Sequence, residues 1–297
     1  MTPLMTRDRL VPYELKAIKH FRGVDHNESI AIGPTGEAYV TSFYTFKAYR
    51  LDLARNEAIS FADLGRRTLG QVVDANHNLY CAECDGPGSK ITRVSQDGTK
   101  SVYCDTVQGG EFLSLNTPVF DRHGNMYVSD TGTWSEAIDG HIYKIPAGGG
   151  AATRWTPQAI DTPNGIAIDA EEKHIYFVET WGHSISRIEI KPDGSAGACE
   201  RVLHMPRHVP DGIAFDERGR LWIACHRPDS IYVYDLVERR LELFAHDWQG
   251  EALRGPCHLA FAGVDRDILL ASSLDRATVH RFDNPGARGL RLHNPTL

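Results

Sequence analysis

Six short phrases of the chain repeat one another, and the first residue of most copies carries an oxygen that could bind a cation. The clearest copies are Asn164–Asp169 and Asp211–Asp216, which read NGIAID and DGIAFD. The first positions of the six copies are Glu28, Leu69, Asn116, Asn164, Asp211 and His258, at spacings of 41, 47, 48, 47 and 47 residues. A fixed period of this length indicates a repeat architecture with one supersecondary unit per repeat.

The rest of each repeat predicts four short β-strands. A second apolar run follows each phrase, and it is centred on Tyr39, Tyr80, Tyr127, Tyr176, Trp222 or Leu269. Turns rich in Gly, Asn and Asp separate the runs, and such residues favour hairpins. Two further apolar runs complete most repeats. The sequence therefore predicts an all-β fold, a six-bladed β-propeller with four antiparallel strands per blade.

The repeats fill residues 28 to 282 of the 297 without a linker, which predicts a single domain over residues 1–297. A propeller must pair the edge of its last blade. We expect the segment 14–20 to pair with 278–282 and close the ring. The alternating segment Gly289–His293 is the alternative for this role.

In a propeller the first strand of each blade lines the central channel, so residues at the same position of each repeat form a ring around the axis. Glu28, Asn116, Asn164 and Asp211 would then present two carboxylates and two amide oxygens to one point. Ca²⁺ suits such hard ligands best, and Mg²⁺, Mn²⁺ or Zn²⁺ are the alternatives. The competing interpretation is that these side chains bind water in a wet channel. Leu69 argues against it, because the scaffold accepts an apolar residue at this position.

Other side chains are candidates for substrate contacts on the face where the first strands begin. Trp134 and Tyr44, or its neighbour Phe43, are the candidate apolar contacts. Glu179 lies three residues beyond its repeat's aromatic position, and His226 lies near the equivalent strand end of the next repeat. Such residues are commonly structural, since they can cap the backbone or fill space between blades.

Net charge and composition limit the classes of partner that the protein could bind. The formal net charge is −7, and no run of Lys and Arg or basic aromatic stripe occurs, so we expect neither nucleic acid nor a membrane as a partner. Met1–Leu10 contains three charged residues and no apolar core of a signal peptide, which predicts a cytoplasmic protein. The sequence leaves the oligomeric state open.

The six cysteines include a Cys81-x-x-Cys84 pair that resembles half of a zinc site. Residues three apart on a strand point to opposite faces, and no second such pair occurs. We therefore expect buried structural thiols, reduced because the chain is large and shows no export signal.

The phrases Pro163-Asn164-Gly165-Ile166-Ala167 and Pro210-Asp211-Gly212-Ile213-Ala214 resemble those of the calcium-dependent propellers that include regucalcin, gluconolactonases and Drp-type lactonases. Paraoxonase and diisopropyl fluorophosphatase are more distant relatives of the same type. The resemblance covers nearly the whole chain and implies a catalytic divalent metal held by Glu28, Asn116, Asn164 and Asp211. It also implies that Asp211 acts as base or nucleophile.

The chain departs from the regucalcin pattern before Asn116, where Ser114 and Leu115 replace an expected Arg and the next residues are Thr117-Pro118. This departure argues against a sugar lactone as the specific substrate. The run Tyr176–Thr180 is also similar to strictosidine synthase-like propellers, which share the fold and need no metal.

These observations predict a metal-dependent hydrolase that opens a small lactone or ester ring, a lactonase or gluconolactonase-like enzyme. The metal would polarise the carbonyl oxygen, Asp211 would be base or nucleophile, and His258 could relay the proton. A phosphotriesterase-like hydrolase and a metal-binding regulatory propeller without turnover are the alternatives.

Overall fold

A computed structural model describes residues 12–297 of the chain. The segment Met1–Leu10, from which the absence of a signal peptide was inferred, lies outside the described residues. Within them, no helix has the length and apolar character needed to cross a membrane.

Six sheets of four antiparallel strands each confirm the predicted six-bladed propeller. In chain order the strands are β1 Lys19–Arg22, β2 Ile30–Ile32, β3 Ala38–Thr41, β4 Lys47–Asp52, β5 Glu57–Asp63, β6 Thr68–Val73, β7 Leu79–Glu83, β8 Ile91–Val94, β9 Lys100–Cys104, β10 Leu115–Phe120, β11 Met126–Asp130, β12 His141–Ile145, β13 Thr153–Arg154, β14 Pro163–Ile168, β15 His174–Glu179, β16 Ser184–Ile190, β17 Ala196–His204, β18 Val209–Phe215, β19 Leu221–Arg227, β20 Asp229–Asp235, β21 Arg240–His246, β22 Pro256–Ala262, β23 Ile268–Ser273 and β24 Thr278–Asp283. Two 3₁₀ turns, Leu15–Ala17 and Trp134–Glu136, are the only helical segments between residues 12 and 297.

Two faces of the propeller follow from this order. The hairpin face carries the turns that join the first two strands of each blade. The ring face, opposite to it, is where the first strands β2, β6, β10, β14, β18 and β22 begin.

The aromatic residues that mark each repeat pack between the blades. Trp222 of β19 is fully buried, with ring centroids 4.9 Å from Phe244 in its own blade and 5.3 Å from Phe261 in the next. Its indole N–H donates to Oδ2 of Asp216 at 3.0 Å, and Asp216 also accepts backbone N–H groups of the hairpin turn. One aspartate thus fixes both the turn and the aromatic anchor, which couples local turn chemistry to the packing of the core.

The N-terminal segment closes the ring by pairing β1 with β24. The closing strand is Lys19–Arg22, so most of the expected segment 14–20 lies outside it, and Leu15–Ala17 forms a 3₁₀ turn instead. The outer strand of the sixth blade therefore comes from the start of the chain, and the alternative closing segment Gly289–His293 is not in that sheet.

The C-terminal segment 289–297 crosses the hairpin face. The Leu290 N–H donates to Phe215 O at 3.0 Å, on the fifth blade. The side-chain amide of Asn294 donates to Ile32 O at 3.1 Å and to Val73 O at 2.8 Å, which ties together the first strands of blades one and two. This segment covers the hairpin end of the channel.

Two histidines meet where the ring closes. His20 and His280 are directly opposed in the β1–β24 pair, with their Nδ1 atoms 3.1 Å apart, and His280 Nε2 lies 3.1 Å from Arg254 O. The pKa of His280 is lowered to about 4, chiefly by burial and to a smaller extent by the charges of His20 and Arg276, while the Arg254 carbonyl and Asp247 oppose the shift. His280 is therefore neutral in the folded protein at neutral pH.

We predict a loss of stability in mild acid from this group. Unfolded His280 has a pKa near 6.5, so between pH 6.5 and about 4 the unfolded chain binds one more proton than the folded chain at this site. The free energy of unfolding should fall as pH decreases through this window, by up to about 1.4 kcal/mol per pH unit. Urea unfolding at pH 7.0, 6.0 and 5.0 measures the slope. His280→Gln should flatten it, and identical slopes in the wild type and the variant would contradict the prediction.

Candidate functional site: a ring of oxygen donors in the channel

A β-bulge repeats at the same place in five of the six first strands. Between the first and second strands the register shifts after Thr68, Leu115, Pro163, Pro210 and Pro256. Two residues of the first strand then stand against one of the second, which re-aims the side chain of the first bulge residue. Those first bulge residues are Leu69, Asn116, Asn164, Asp211 and Cys257. In blade one, Glu28 takes the corresponding place just before β2.

The sixth ring position was assigned to His258, and the register corrects this assignment to Cys257. In blades two to five, three residue pairs separate the bulge from the hairpin, whereas blade six has four, from Leu259 to Ala262. When the six phrases are aligned at their hairpin ends, the ring residue of blade six is therefore placed one position too late in the sequence. The proline that precedes Asn164, Asp211 and Cys257 was the signal in the sequence that could have located it.

The second bulge residue is small in blades two to five because neighbouring backbones approach closely. A Cβ atom at Gly165 would lie 2.6 Å from Asp211 O, and one at Gly212 would lie 2.4 Å from Cys257 O. These distances are shorter than any side chain tolerates, so glycine is required by close approach rather than by its backbone angles.

Of the two carboxylates of the ring, Asp211 is buried and Glu28 partly buried, and neither has a Lys or Arg partner among the described residues. The side chains of Glu28 and Asp211 are 14% and 4% exposed, and neither forms an ion pair with a Lys or Arg of residues 12–297. Burial, together with the negative charge of Glu28, raises the pKa of Asp211 well above its usual value, and a hydrogen bond from Asn164 opposes this. A bound divalent cation would remove the repulsion and restore the ionised form.

Amide oxygens complete the donor set. Asn116 and Asn164 are 3% and 2% exposed. The Asn116 Oδ1 accepts a hydrogen bond from the Thr117 hydroxyl at 3.0 Å, which orients this amide. No group of three or more His, Cys, Asp or Glu side chains in the described chain converges as a metal cluster, so an ion here would depend on these amides. Two carboxylates and two amides fit the oxygen ligands of Ca²⁺ and leave coordination positions for water or substrate.

His26 is a site residue that the sequence analysis missed. Its Nε2 lies 2.9 Å from Oε1 of Glu28, and its ring also donates to the backbone carbonyl of Leu274 in blade six. Burial lowers the pKa of His26, but the hydrogen bond and charge of Glu28 outweigh burial and raise it overall. The imidazole stands 4.7 Å from the Phe43 ring and 5.4 Å from the Tyr44 ring, measured between centroids. His26 therefore links the Glu28 carboxylate to the aromatic residues at the rim.

His226 borders the other carboxylate. Its Nε2 is 3.6 Å from Oδ2 of Asp211, too long for a hydrogen bond but close enough for a shared water or substrate atom. Burial lowers the pKa of His226, against an opposing effect from Glu28, so the imidazole is neutral at pH 7.

His258 lies beside the ring rather than in it. It is the second bulge residue of blade six, and its Nδ1 accepts the Ile30 N–H at 3.4 Å. Burial alone lowers the pKa of His258 to about 4, without the effect of Glu28 seen at His226. Its role as a proton relay stays a prediction that this geometry does not favour.

The candidate substrate contacts occupy the ring face. Tyr44 is 62% and Trp134 41% exposed. Trp134 packs edge-on against Trp181 at 5.8 Å and has a positive φ of 56°, an unfavourable conformation for a bulky residue. Glu179, by contrast, accepts hydrogen bonds from the Ser184 and Ser186 hydroxyls, which indicates a structural role.

The cysteines form no disulfide in the described residues. Cys81 lies in a buried apolar cluster, whereas Cys84 lies at the end of β7 near Glu28. Burial, with the charges of Glu28 and Asp211, raises the pKa of Cys257, whose thiol donates to Asn27 O at 3.2 Å.

A family model described as the SMP-30/Gluconolactonase/LRE-like region matches residues 29–274 of the chain. Among curated proteins, the chain is 25% identical over 218 residues to pentonolactonase XacC of Haloferax volcanii, covering 72% of this chain and 62% of that protein. It is 24% identical over 202 residues to lactonase drp35 of Staphylococcus saprophyticus, covering 66% and 61%. The matches span about three fifths of the length of these two relatives.

Solved structures share the fold. Regucalcin from Agrobacterium tumefaciens, described as a calcium-binding protein, superposes with a TM-score of 0.79 at 17% identity, covering 98% of this chain and 100% of that one. A gluconolactonase from Xanthomonas campestris gives a TM-score of 0.75 at 18% identity, covering 92% and 93%.

If the ring is a metal site, as the sequence predicts, His26 should control its affinity. His26→Ala removes the hydrogen bond that orients Glu28, and we expect Ca²⁺ to bind about 10- to 100-fold more weakly, as is usual when a partner of a ligand is lost. Calorimetric titration of the purified protein with Ca²⁺ measures this, and His26→Gln should recover part of the loss.

His174→Ala is the matched control. His174 Nδ1 lies 2.9 Å from Oδ2 of Asp169, an equivalent pair on the hairpin face. Equal affinities for wild type and His26→Ala, or an equal loss in the control, would contradict the positioning role.

Proposed function

The chain belongs to the SMP-30/gluconolactonase/LRE-like family, and on this basis we propose that it is a metal-dependent hydrolase that opens a small lactone or ester ring. The observation that carries the proposal is the pair Glu28 and Asp211, which has no Lys or Arg partner in residues 12–297. Asp211 is buried and Glu28 is 14% exposed, and the buried amides of Asn116 and Asn164 take the same position in neighbouring blades. Burying two like charges is costly, and such a pair favours a function that uses a cation. The names of the relatives, lactonase and pentonolactonase, supply the substrate class.

Four side chains would hold the ion: Glu28, Asn116, Asn164 and Asp211. When bound, a divalent cation would supply Lewis-acid polarisation of the substrate carbonyl oxygen. Ca²⁺ fits this donor set best because all four side chains offer oxygen.

Asp211 is the reacting carboxylate of the proposal. It accepts the proton of a water that attacks the lactone carbonyl carbon, or attacks that carbon itself. If Asp211 is the base, the bond between the acyl carbon and the ring oxygen then breaks, and the ring oxygen takes up the proton that Asp211 held. If Asp211 is the nucleophile, the same bond breaks as Asp211 becomes acylated, the ring oxygen takes a proton from water, and the hydroxide formed hydrolyses the acyl-Asp211 anhydride to release the product acid and the free carboxylate. The neutral imidazole of His226, near Oδ2 of Asp211, orients the water or the substrate oxygen from the opposite side.

The ring face supplies the substrate contacts. Tyr44 is held next to His26 and Phe43, and Trp134 next to Trp181, so both present apolar surface near the channel mouth. Such surface suits the carbon skeleton of a lactone and leaves its polar carbonyl for the ring.

A substrate panel tests the function. We expect purified protein with 1 equivalent or more of Ca²⁺ to hydrolyse at least one class among sugar lactones, alkyl lactones and aromatic lactones, and a chelator to abolish this until Ca²⁺ is restored. Product acid is measured by pH-stat.

An aryl phosphotriester in the same panel tests the phosphotriesterase alternative. Metal binding without turnover of any compound would instead identify a non-catalytic metal-binding propeller.

The variant Asp211→Asn tests the mechanism. The amide keeps the shape and one oxygen but cannot accept a proton at neutral pH, so kcat should fall by at least about 10²–10⁴-fold. His258→Gln should lower kcat less, because His258 lies beside the ring and its hydrogen bond is to the Ile30 N–H rather than to Asp211. Both variants are assayed at saturating metal, with thermal melts as the folding control. Near-full activity of Asp211→Asn would refute the mechanism, and a larger loss in His258→Gln would identify His258 as the base.

A further inference from the structure

The two ends of the central channel differ in chemistry. At the ring face the channel carries the oxygen donors described above. At the hairpin face it contains a cavity of about 140 Å³. Most of the cavity wall is apolar, including Ile30, Ile168, Phe215, Phe261, Leu290 and Leu292. A cavity in this place is not needed to close a propeller, and nothing in the proposed lactone hydrolysis uses it.

The C-terminal segment covers this cavity and is fixed to the blades around it. Leu290 is bonded to Phe215, and Asn294 to Ile32 and Val73. His293 Nε2 lies 2.6 Å from Oε1 of Glu172 on the fourth blade. These anchors on four blades hold Leu290 and Leu292 over the channel end, so the cavity has a defined shape.

One polar side chain in the deep, apolar part of the cavity wall lacks a full set of partners. The other polar lining residues Gln71, Thr117 and His293 are bonded to Ser29 O, Asn116 Oδ1 and Glu172. His258 lines the cavity and is only 8% exposed. Its Nδ1 accepts the Ile30 N–H, so the neutral imidazole must carry its proton on Nε2. No residue between 12 and 297 accepts a hydrogen bond from that Nε2. A donor in an apolar wall that has no partner in the described residues favours an occupant that supplies an acceptor.

The corrected register explains why this donor is there. The second bulge residue is Gly70, Thr117, Gly165 and Gly212 in blades two to five, and His258 in blade six. The imidazole therefore occupies space that small residues leave open elsewhere around the channel. Burial keeps the pKa of His258 at about 4, so the imidazole stays an uncharged donor across the neutral range.

We propose that this cavity, which we call the rear chamber, binds a small neutral molecule with an apolar body and one hydrogen-bond acceptor for His258 Nε2. A volume near 140 Å³ matches an engineered apolar cavity of about 150 Å³ that binds benzene, so the molecule is about the size of one six-membered ring. An uncharged ligand fits best: of the charged lining residues, Asp169 is paired with His174 and Arg291 is exposed to solvent, and an unpaired charge in the apolar interior is costly. Monocyclic ketones, esters and phenols have these properties. This site is separate from the ring and does not depend on the proposed hydrolase activity.

Acetophenone and ethylbenzene form a matched pair of probes, since they share size and shape and differ in the acceptor. We expect the whole protein to bind acetophenone saturably and about fivefold or more tightly than ethylbenzene, the contribution of one neutral hydrogen bond. Ligand-observed NMR titration measures both affinities. Absence of saturable binding for both compounds would overturn the proposal and indicate a chamber that holds only water.

Variants locate the bound probe. His258→Leu should bring the two affinities to the same value by weakening acetophenone, and Ala214→Leu, which places extra carbon atoms in the chamber wall, should weaken both about tenfold or more. His77→Leu is the matched control and should change neither affinity, because His77 pairs with Glu37 and neither residue lines the chamber.

Two further results separate the chamber from the ring. Acetophenone affinity should be the same in Trp134→Ala and with or without Ca²⁺. Loss of binding in Trp134→Ala, or a persisting preference for acetophenone in His258→Leu, would overturn the proposal. Thermal melts verify folding of each variant. If His258→Leu does not fold, unchanged affinities in Ala214→Leu would by themselves refute the chamber.

Discussion

The repeated β-bulge is the constraint on which the site depends. In an unbroken antiparallel ladder every side chain would point to one of the two faces of its blade, against a neighbouring blade, and none into the channel. In five of the six blades the bulge releases two residues from the ladder, and the first of them takes the ring position. The cost is crowding, because the next backbone lies so close that Gly165 and Gly212 have no room for a Cβ atom. In each bulge the first residue thus supplies the side chain of the ring, and close packing of the neighbouring backbone determines the size of the second.

The ring concentrates negative charge where solvent screens it little. Burial and the charge of Glu28 raise the pKa of Asp211, and the neutral imidazoles of His258 and His226 do not offset this. A closed propeller can carry the cost of this charge because its stability comes from apolar packing between blades, such as the contacts of Trp222 with Phe244 and Phe261. A bound cation would raise the free energy of unfolding, because only the folded chain brings the candidate ligands together.

The two ends of the channel are closed differently. At the hairpin face the C-terminal segment forms backbone and amide hydrogen bonds to the ends of the first strands. At the ring face, exposed aromatic residues such as Tyr44 and Trp134 lie around the opening. No strand of the described residues crosses this opening. The open end would therefore suit exchange of the proposed substrate and product, and the covered end the ligand proposed for the rear chamber. His258 belongs to the covered end although it adjoins the ring in sequence.

The sequence by itself determined the fold and most of the ring. Local signals predict the blades: the repeat period, the turns rich in Asp and Gly, and the aromatic positions. A blade is defined by its hairpin turns and by the period-two pattern of its strands, and both are visible within one repeat. The positions of Glu28, Asn116, Asn164 and Asp211 followed because each lies at the start of the same phrase. Only the tertiary structure decided between Cys257 and His258, since the position of the bulge in β22 depends on pairing with β23 and not on the phrase. It also decided that Lys19–Arg22 closes the ring and that His26 meets Glu28. Both depend on contacts with blade six, which is distant in the chain, and no pattern within one repeat encodes such contacts.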